Sequence, residues 1–272
     1  DFLLALFIFI SCVGTEMTRI LVAAGGVKTL VLFALSNDGN LKSGVVTKKS
    51  LAFASVMDAE PSALTVSPYT TNQSNLFIGL KNGKIIKITG TTNTFPNNPE
   101  WTDITGSNFV GSVSDIELGA NENEIFVTMH NYGVNNIWYT NDGGTNWSAK
   151  EGDLPDMPVK AILQNPLRLE EVIIGTDLGV WRTSNFFAAS PNWVQSYNGM
   201  SNVKVLDLDL RDDNMVFVAT HGRGVFSGQF TSESLSVNNE VIAISSGVKV
   251  FPTISNGEIS ITSQEAFENF LS

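Results

Sequence analysis

The side chains best suited to chemistry lie in turns between pairs of apolar runs. One turn carries His130 and Tyr132, a second carries Asp177, and a third carries His221 and Arg223. Imidazole, carboxylate, guanidinium and phenol groups can hydrogen-bond a sugar or a peptide, so these five residues are candidate ligand-binding residues. Because β-turns are polar in most proteins, the same residues are also compatible with turns that bind nothing.

Several chemistries are excluded by what the sequence lacks. The chain has two histidines and a single cysteine, Cys12, so it offers neither a zinc-type ligand spacing nor an intrachain disulfide. It contains no Ser-His-Asp signature and no phosphate-binding glycine loop. A formal net charge of −11 argues against nucleic-acid binding, which needs a basic face. We therefore expect no metal, no cofactor and no nucleic-acid partner.

The turns that carry these polar residues recur at regular intervals along the chain, which indicates a repeated structural unit. The equivalent residues Phe77, Phe126, Ile173 and Phe217 are separated by 49, 47 and 44 positions. Each of these residues lies in an apolar run, and a segment of alternating apolar and polar residues precedes each run. Segments that contain tryptophan supply a last strand. Four strands in such a period are typical of a propeller blade. A β-sandwich also uses many short strands, but it does not explain the regular period.

The period predicts an all-β fold, a β-propeller of four-stranded antiparallel blades over residues 19–230, with about five blades visible. The first and weakest copy begins at Arg19. Turns between the second and third strands of all blades lie at one end. The sequence therefore predicts that His130, Asp177, His221 and Arg223 converge on one rim.

The stretch YTNDGGTNW (139–147) has the composition of a tight turn between two strands. Thr140 and Asp142 can bond nearby backbone N–H groups, and Gly144 can adopt a positive φ. The stretch resembles the Asp-box, or bacterial neuraminidase repeat, with the pattern Ser/Thr-x-Asp-x-Gly-x-Thr-Trp, which Thr140, Asp142, Gly144 and Trp147 match. This resemblance implies a structural role in the turn between the third and fourth strands, at the end opposite the rim.

Together with GTDLGVW and VATHGRGVF, this motif resembles the sortilin-like propellers of secreted bacterial proteins and xyloglucan-cleaving glycoside hydrolases. The resemblance covers residues 19–230, and it implies that Asp177 is a catalytic carboxylate if the protein is a hydrolase. Such an enzyme needs a second carboxylate about 5–10 Å away. The candidates on the predicted inner strands are Asp115, Glu117, Asp207 and Asp209.

Both ends of the chain indicate export. Residues 1–18 contain an apolar run that is too short for a membrane span and matches the core of a secretory signal peptide, with a buried strand as the alternative. Residues 231–247 have the composition of a linker. Residues 248–272 resemble the start of the C-terminal sorting domain of type IX secretion cargo, a small β-sandwich. On this interpretation, the chain is cut short at both ends. The matching residues are Phe251, Pro252, Asn256 and Gly257.

These features predict a secreted or cell-surface propeller that binds a polymer, either a glycan or a protein, through its rim. The alternatives are a glycoside hydrolase and a structural adhesin or spacer. Since no catalytic pair is evident, binding is favoured over hydrolysis. The expected partners are the polymer and the type IX secretion machinery, and no membrane span is expected in the mature chain.

Overall fold

A computed structural model describes residues 30–32, 49–51, 56–70, 75–90, 99–196, 200, 202–232, 249–251 and 260–262. These residues form β-strands and turns, with no helix among them. The strands are β1 (Leu30–Leu32), β2 (Lys49–Leu51), β3 (Pro61–Val66), β4 (Leu76–Leu80), β5 (Ile85–Thr89), β6 (Glu100–Asp103), β7 (Val113–Leu118), β8 (Ile125–Met129), β9 (Ile137–Thr140), β10 (Ser148–Ala149), β11 (Val159–Gln164), β12 (Val172–Thr176), β13 (Gly179–Thr183), β14 (Val194–Ser196), β15 (Val205–Leu210), β16 (Met215–Thr220), β17 (Val225–Gln229), β18 (Lys249–Phe251) and β19 (Ser260–Thr262).

Four antiparallel sheets follow one another along the chain, and we call them blades I to IV. Blade I is β3–β6, blade II is β7–β10, blade III is β11–β14 and blade IV is β15–β17. Within each blade, consecutive strands pair, and the first strands of neighbouring blades contact each other. The predicted all-β, blade-type propeller fold is confirmed. The further copy that the sequence predicts from Arg19 lies mostly outside the described residues.

Every first strand contains the same irregularity near its start. The pairing register with the second strand shifts between Pro61 and Ala63 in β3, and between Val159 and Ala161 in β11. β7 and β15 shift at the matching positions. Such a β-bulge re-aims a side chain locally. In blade III the bulged residue is Lys160.

Apolar side chains hold neighbouring blades together. Phe77 and Phe126, which the repeat alignment made equivalent, occupy matching positions in β4 and β8 and are fully buried. The approach between blades is close at Gly79, where an added Cβ would lie 2.3 Å from Val113 Cγ1 of the next blade. Glycine at this position therefore lets the second strand of one blade contact the first strand of the next.

The chain divides into two compact units, Asp1–Phe230 and Thr231–Ser272. In the second unit, β18 and β19 form an antiparallel pair. The predicted segments 1–18 and 231–247, and the remainder of 248–272, lie largely outside the described residues. No helix in the described part of the chain is long and apolar enough to cross a membrane.

Candidate functional site

The turns between second and third strands lie at the end of each blade where the first strand begins, and we call this end the rim. A recurring backbone bond fixes the arrangement. The His130 N–H donates to the Ser112 carbonyl at 2.9 Å, and the His221 N–H donates to the Lys204 carbonyl at 2.8 Å. Each bond ties a rim turn to the residue that leads into its own blade's first strand.

His130 contacts a lysine of the next blade. The Lys160 ammonium lies 2.8 Å from Nε2 and 3.0 Å from Nδ1 of the His130 ring. Burial and the nearby Lys160 charge both lower the pKa of His130. The imidazole is therefore neutral at neutral pH, so that it can accept a hydrogen bond from the ammonium.

Asp177, the candidate catalytic residue, is held in the turn between β12 and β13. Thr176 Oγ1 donates to the Gly179 carbonyl and accepts the Leu178 N–H, at 2.9 and 3.0 Å. The Lys204 ammonium of blade IV lies 3.1 Å from Asp177 Oδ1. Because this buried oxygen has no aligned hydrogen-bond donor, the contact is an ion pair rather than a directed hydrogen bond.

His130, Lys160, Asp177 and Lys204 form one electrostatic unit, which we call the rim cluster. The Asp177 charge raises the pKa of both His130 and Lys160, whereas the Lys204 charge lowers both. The sequence predicted that His130 and Asp177 share a surface, but it missed both lysines. The available signal was their position, since each lysine stands at the start of a first strand in a chain with few cations.

The remaining predicted rim residues are solvent-exposed and lie in the same set of turns. Tyr132 is 64% exposed in the turn between β8 and β9. His221 and Arg223 are exposed in the turn between β16 and β17. The backbone bond from His221 to Lys204 places this third turn beside the rim cluster.

An open groove lies at the same end of blades II and III, and we call it the rim groove. Its volume is about 510 Å³. Two carboxylates shape it through backbone contacts: Asp156 accepts the Gly133 N–H at 2.7 Å, and Glu151 accepts the Asn136 N–H at 2.6 Å. Burial raises the pKa of Glu151. The groove is lined by Asn108, Val110, Gly133, Val134, Asn135, Glu151, Leu154 and Asp156.

The Thr-Asp-Gly turn lies at the opposite end of blade II, between β9 and β10. Thr140 Oγ1 donates to Asp142 Oδ1 at 2.7 Å, and Asp142 accepts the Asn146 N–H at 2.9 Å. Hydrogen bonds from Asn146 and then Thr140 lower the pKa of Asp142 to about 2. Gly144 has a φ of 94°, and its N–H donates to Thr140 Oγ1. The hydrogen bonds of Thr140, Asp142 and Gly144 described here are therefore formed within the turn itself.

Trp147 completes this turn by contacting the loop that leads into blade II. Its Nε1–H donates to the Ile104 carbonyl at 2.9 Å, and its ring lies 4.9 Å from the Phe109 ring. The side chain is half-buried and packs against the apolar cluster that blades I and II share. Blade III repeats the geometry with other residues, since Trp193 Nε1–H donates to the Lys150 carbonyl.

The four inner carboxylates interact with one another, on β7 and β15. Asp115 accepts the Ile162 N–H of blade III at 3.0 Å, and burial followed by the Asp207 charge raises its pKa to about 7. Burial and the charges of Asp115, Asp209 and Asp207 raise the pKa of Glu117. The pKa of Asp207 is raised by burial and then by Asp209. Among the residues described, no group of three or more His, Cys, Asp or Glu side chains is arranged to hold a metal ion.

Comparisons with known proteins find a likeness to solved structures. No protein-family model matches the chain, and no curated protein matches it. A solved structure, the GH74 enzyme of Niastella koreensis, is 13% identical with a TM-score of 0.46. The match covers 80% of this chain and 36% of that chain, so this chain spans about a third of the enzyme's length.

Proposed function

We propose that the protein is an exported propeller that binds a glycan through its rim. The observation that carries this proposal is the convergence of His130, Lys160, Asp177 and Lys204 at the end that also holds the rim groove. Fixed polar and charged groups at the same end as an open groove suit a chain of sugar hydroxyls, and exposed Tyr132 offers a face for a sugar ring.

Binding without hydrolysis is the favoured form of this function. A glycosidase needs two carboxyl groups that act on one bond from opposite sides. Asp177 is engaged in an ion pair with Lys204, and the charges that act on Asp115 and Glu117 are those of the other inner carboxylates. Asp177 and the inner carboxylates therefore behave as two separate structural groups.

A glycoside hydrolase is the second candidate, and one observation favours it. Asp115 has a pKa of about 7, so a large fraction of this carboxyl is protonated at neutral pH, as a general acid must be. In that reaction Asp177 would be the nucleophile or base. Replacing Asp177 with Asn would then abolish hydrolysis and leave binding intact.

Export through the type IX system is part of the proposal. The alternating segment after residue 248 supports it, and the antiparallel pairing of β18 with β19 is compatible with a small β-sandwich. Deletion of everything beyond Phe230 should therefore abolish secretion in a host that has this machinery. Secretion of the natural protein after deletion of everything beyond Phe230 would contradict the sorting role.

A glycan array probed with the full chain tests the binding function. Tyr132→Ala and Arg223→Ala should each weaken the strongest signal, because both side chains project from rim turns. Phe187→Ala is the matched control, since Phe187 is also a partly exposed aromatic, 43% exposed, but lies in the loop at the opposite end. Signals that fall equally in all three variants, or no signal above background, would contradict the proposal.

A further inference from the structure

The cations among the described residues differ in how their charge is balanced. Lysines and arginines across the blades form ion pairs with a carboxylate: Lys81 with Glu60, Lys84 with Asp58, Lys87 with Glu122, Arg168 with Glu170, Lys204 with Asp177, and Arg211 with Asp213. Lys150 donates to the Ala188 carbonyl and lies over two aromatic rings. Lys160 has neither arrangement.

Lys160 is a half-buried ammonium whose hydrogen-bond partner is a neutral ring. Its contacts at 2.8 and 3.0 Å are with the imidazole nitrogens of His130. No carboxylate among the described residues lies within ion-pair distance of it. Burial and then the charge of Lys204 lower the pKa of Lys160, whereas Asp177 raises it. A partly desolvated cation without a counterion is unfavourable, and an anionic ligand would supply the missing charge.

The rim cluster as a whole carries an excess of positive charge. Lys160 and Lys204 supply two cations, Asp177 supplies one anion, and His130 is neutral at neutral pH because its pKa is lowered. This excess is local, because the chain has a net charge of −11. An anion is therefore attracted to this place on a molecule whose overall charge is negative.

We propose that the rim cluster binds an anionic oxygen group of a polysaccharide, a carboxylate or a sulfate ester, at Lys160 and beside Lys204. This inference rests on the proposed function and specifies the class of glycan. An ammonium acts as a compact point charge, so it suits either anion without demanding a planar geometry. Sugar hydroxyls alone would leave the Lys160 charge uncompensated.

The β-bulge of β11 gives this lysine its special position. Lys160 is the bulged residue between Val159 and Ala161, and the matching residues of the other first strands are Ser62, Ser114 and Leu206. The bulge turns the Lys160 side chain toward His130 of the preceding blade instead of leaving it in the ladder. The β-bulge thus recurs in all four blades, and in blade III its extra residue is charged.

Isothermal titration of the full chain with four probes tests the inference. Polygalacturonate supplies carboxylates, its methyl ester is the neutral counterpart, dextran sulfate supplies sulfate esters, and dextran is neutral. We expect binding to polygalacturonate, to dextran sulfate or to both, with affinity at least about tenfold above the matching neutral polymer. Which acidic polymer binds identifies the anion. Raising the salt concentration should weaken that binding.

Variants separate the rim cluster from general charge effects. Lys160→Gln and Lys204→Gln should each reduce affinity for the acidic polymer by about tenfold, and Lys160→Arg should retain most of it because the charge remains. Arg211→Gln removes a positive charge at the opposite end of blade IV and should change affinity by less than about twofold. Far-ultraviolet circular dichroism of each variant checks that it folds.

The outcomes distinguish this inference from the proposed function. Equal affinity for each acidic polymer and its neutral counterpart, or loss on Arg211→Gln as large as on Lys160→Gln, would overturn the anionic specificity. Neutral polymers that bind and lose affinity on Tyr132→Ala would then leave glycan binding standing. Absence of binding to all four probes, together with a blank glycan array, would overturn both.

Discussion

Lys204 Nζ lies 3.1 Å from Asp177 Oδ1, so an ion pair joins the rim turn of blade III to the entry of blade IV. The two side chains are 38% and 22% exposed, and water therefore weakens their attraction. The pair orients Asp177 toward blade IV. The same contact therefore joins two blades and forms part of the proposed binding site.

The energy of this pair can be measured with a double-mutant cycle. Asp177→Asn, Lys204→Gln and the double variant should give a coupling energy of about 1 kcal/mol or less in urea unfolding, because the pair is partly solvated. The coupling should decrease at high salt. Additive effects of the two substitutions would show that the contact contributes nothing to stability.

The sequence predicted the fold better than the site, for a physical reason. Fold information is repeated, since apolar residues such as Phe77 and Phe126 recur with the period of the blade and each copy reinforces the prediction. The site arises once, from contacts between blades. Lys160 reaches His130 through a bulge and Lys204 reaches Asp177 of the preceding blade, and neither contact follows from spacing along the chain.

The two turn tryptophans should contribute unequally to stability. Trp193 is 5% exposed and donates to the Lys150 carbonyl, whereas Trp147 is half-buried. Trp193→Ala should lower the free energy of unfolding by about 3–5 kcal/mol, and Trp147→Ala by about 2–3 kcal/mol, because less apolar area is lost. Urea denaturation measures both values, and a larger loss at Trp147 would contradict the burial argument.

The inner carboxylates should make the propeller less stable as the pH rises. The pKa of Asp115 is raised to about 7, so the folded state keeps a proton that the unfolded chain, with a pKa of about 4, has released. Stability is therefore highest below the unfolded pKa and falls as the pH increases from about 4 to about 7. Burial raises the pKa of Glu117 and Asp207 as well, which adds to the same trend.

Asp115→Asn tests this linkage. Asparagine cannot ionise, so thermal unfolding of the variant should depend less on pH between about 4 and 7 than unfolding of the parent. The variant should be the less stable protein near pH 4, since Asp115 accepts both the Ile116 and Ile162 N–H groups and an amide has a single acceptor oxygen. An unchanged pH dependence would show that Asp115 ionises normally in the folded protein.

Gly175 lies at the contact between blades III and IV, and a glycine should be required there because a side chain does not fit. An added Cβ on Gly175 would lie 2.5 Å from Val205 Cγ1, and Val205 is fully buried on the first strand of blade IV. Gly175→Ala must therefore displace the valine or separate the blades, which should lower the free energy of unfolding by about 1–3 kcal/mol.

Gly228→Ala is the matched control, because Gly228 also lies in a strand but no atom is within 4 Å of its added Cβ. That control should be neutral or slightly stabilising, through reduced entropy of the unfolded chain. Urea denaturation of the two variants decides the matter, and equal stability of both would mean that the blades are not packed as closely as Gly175 and Val205 indicate.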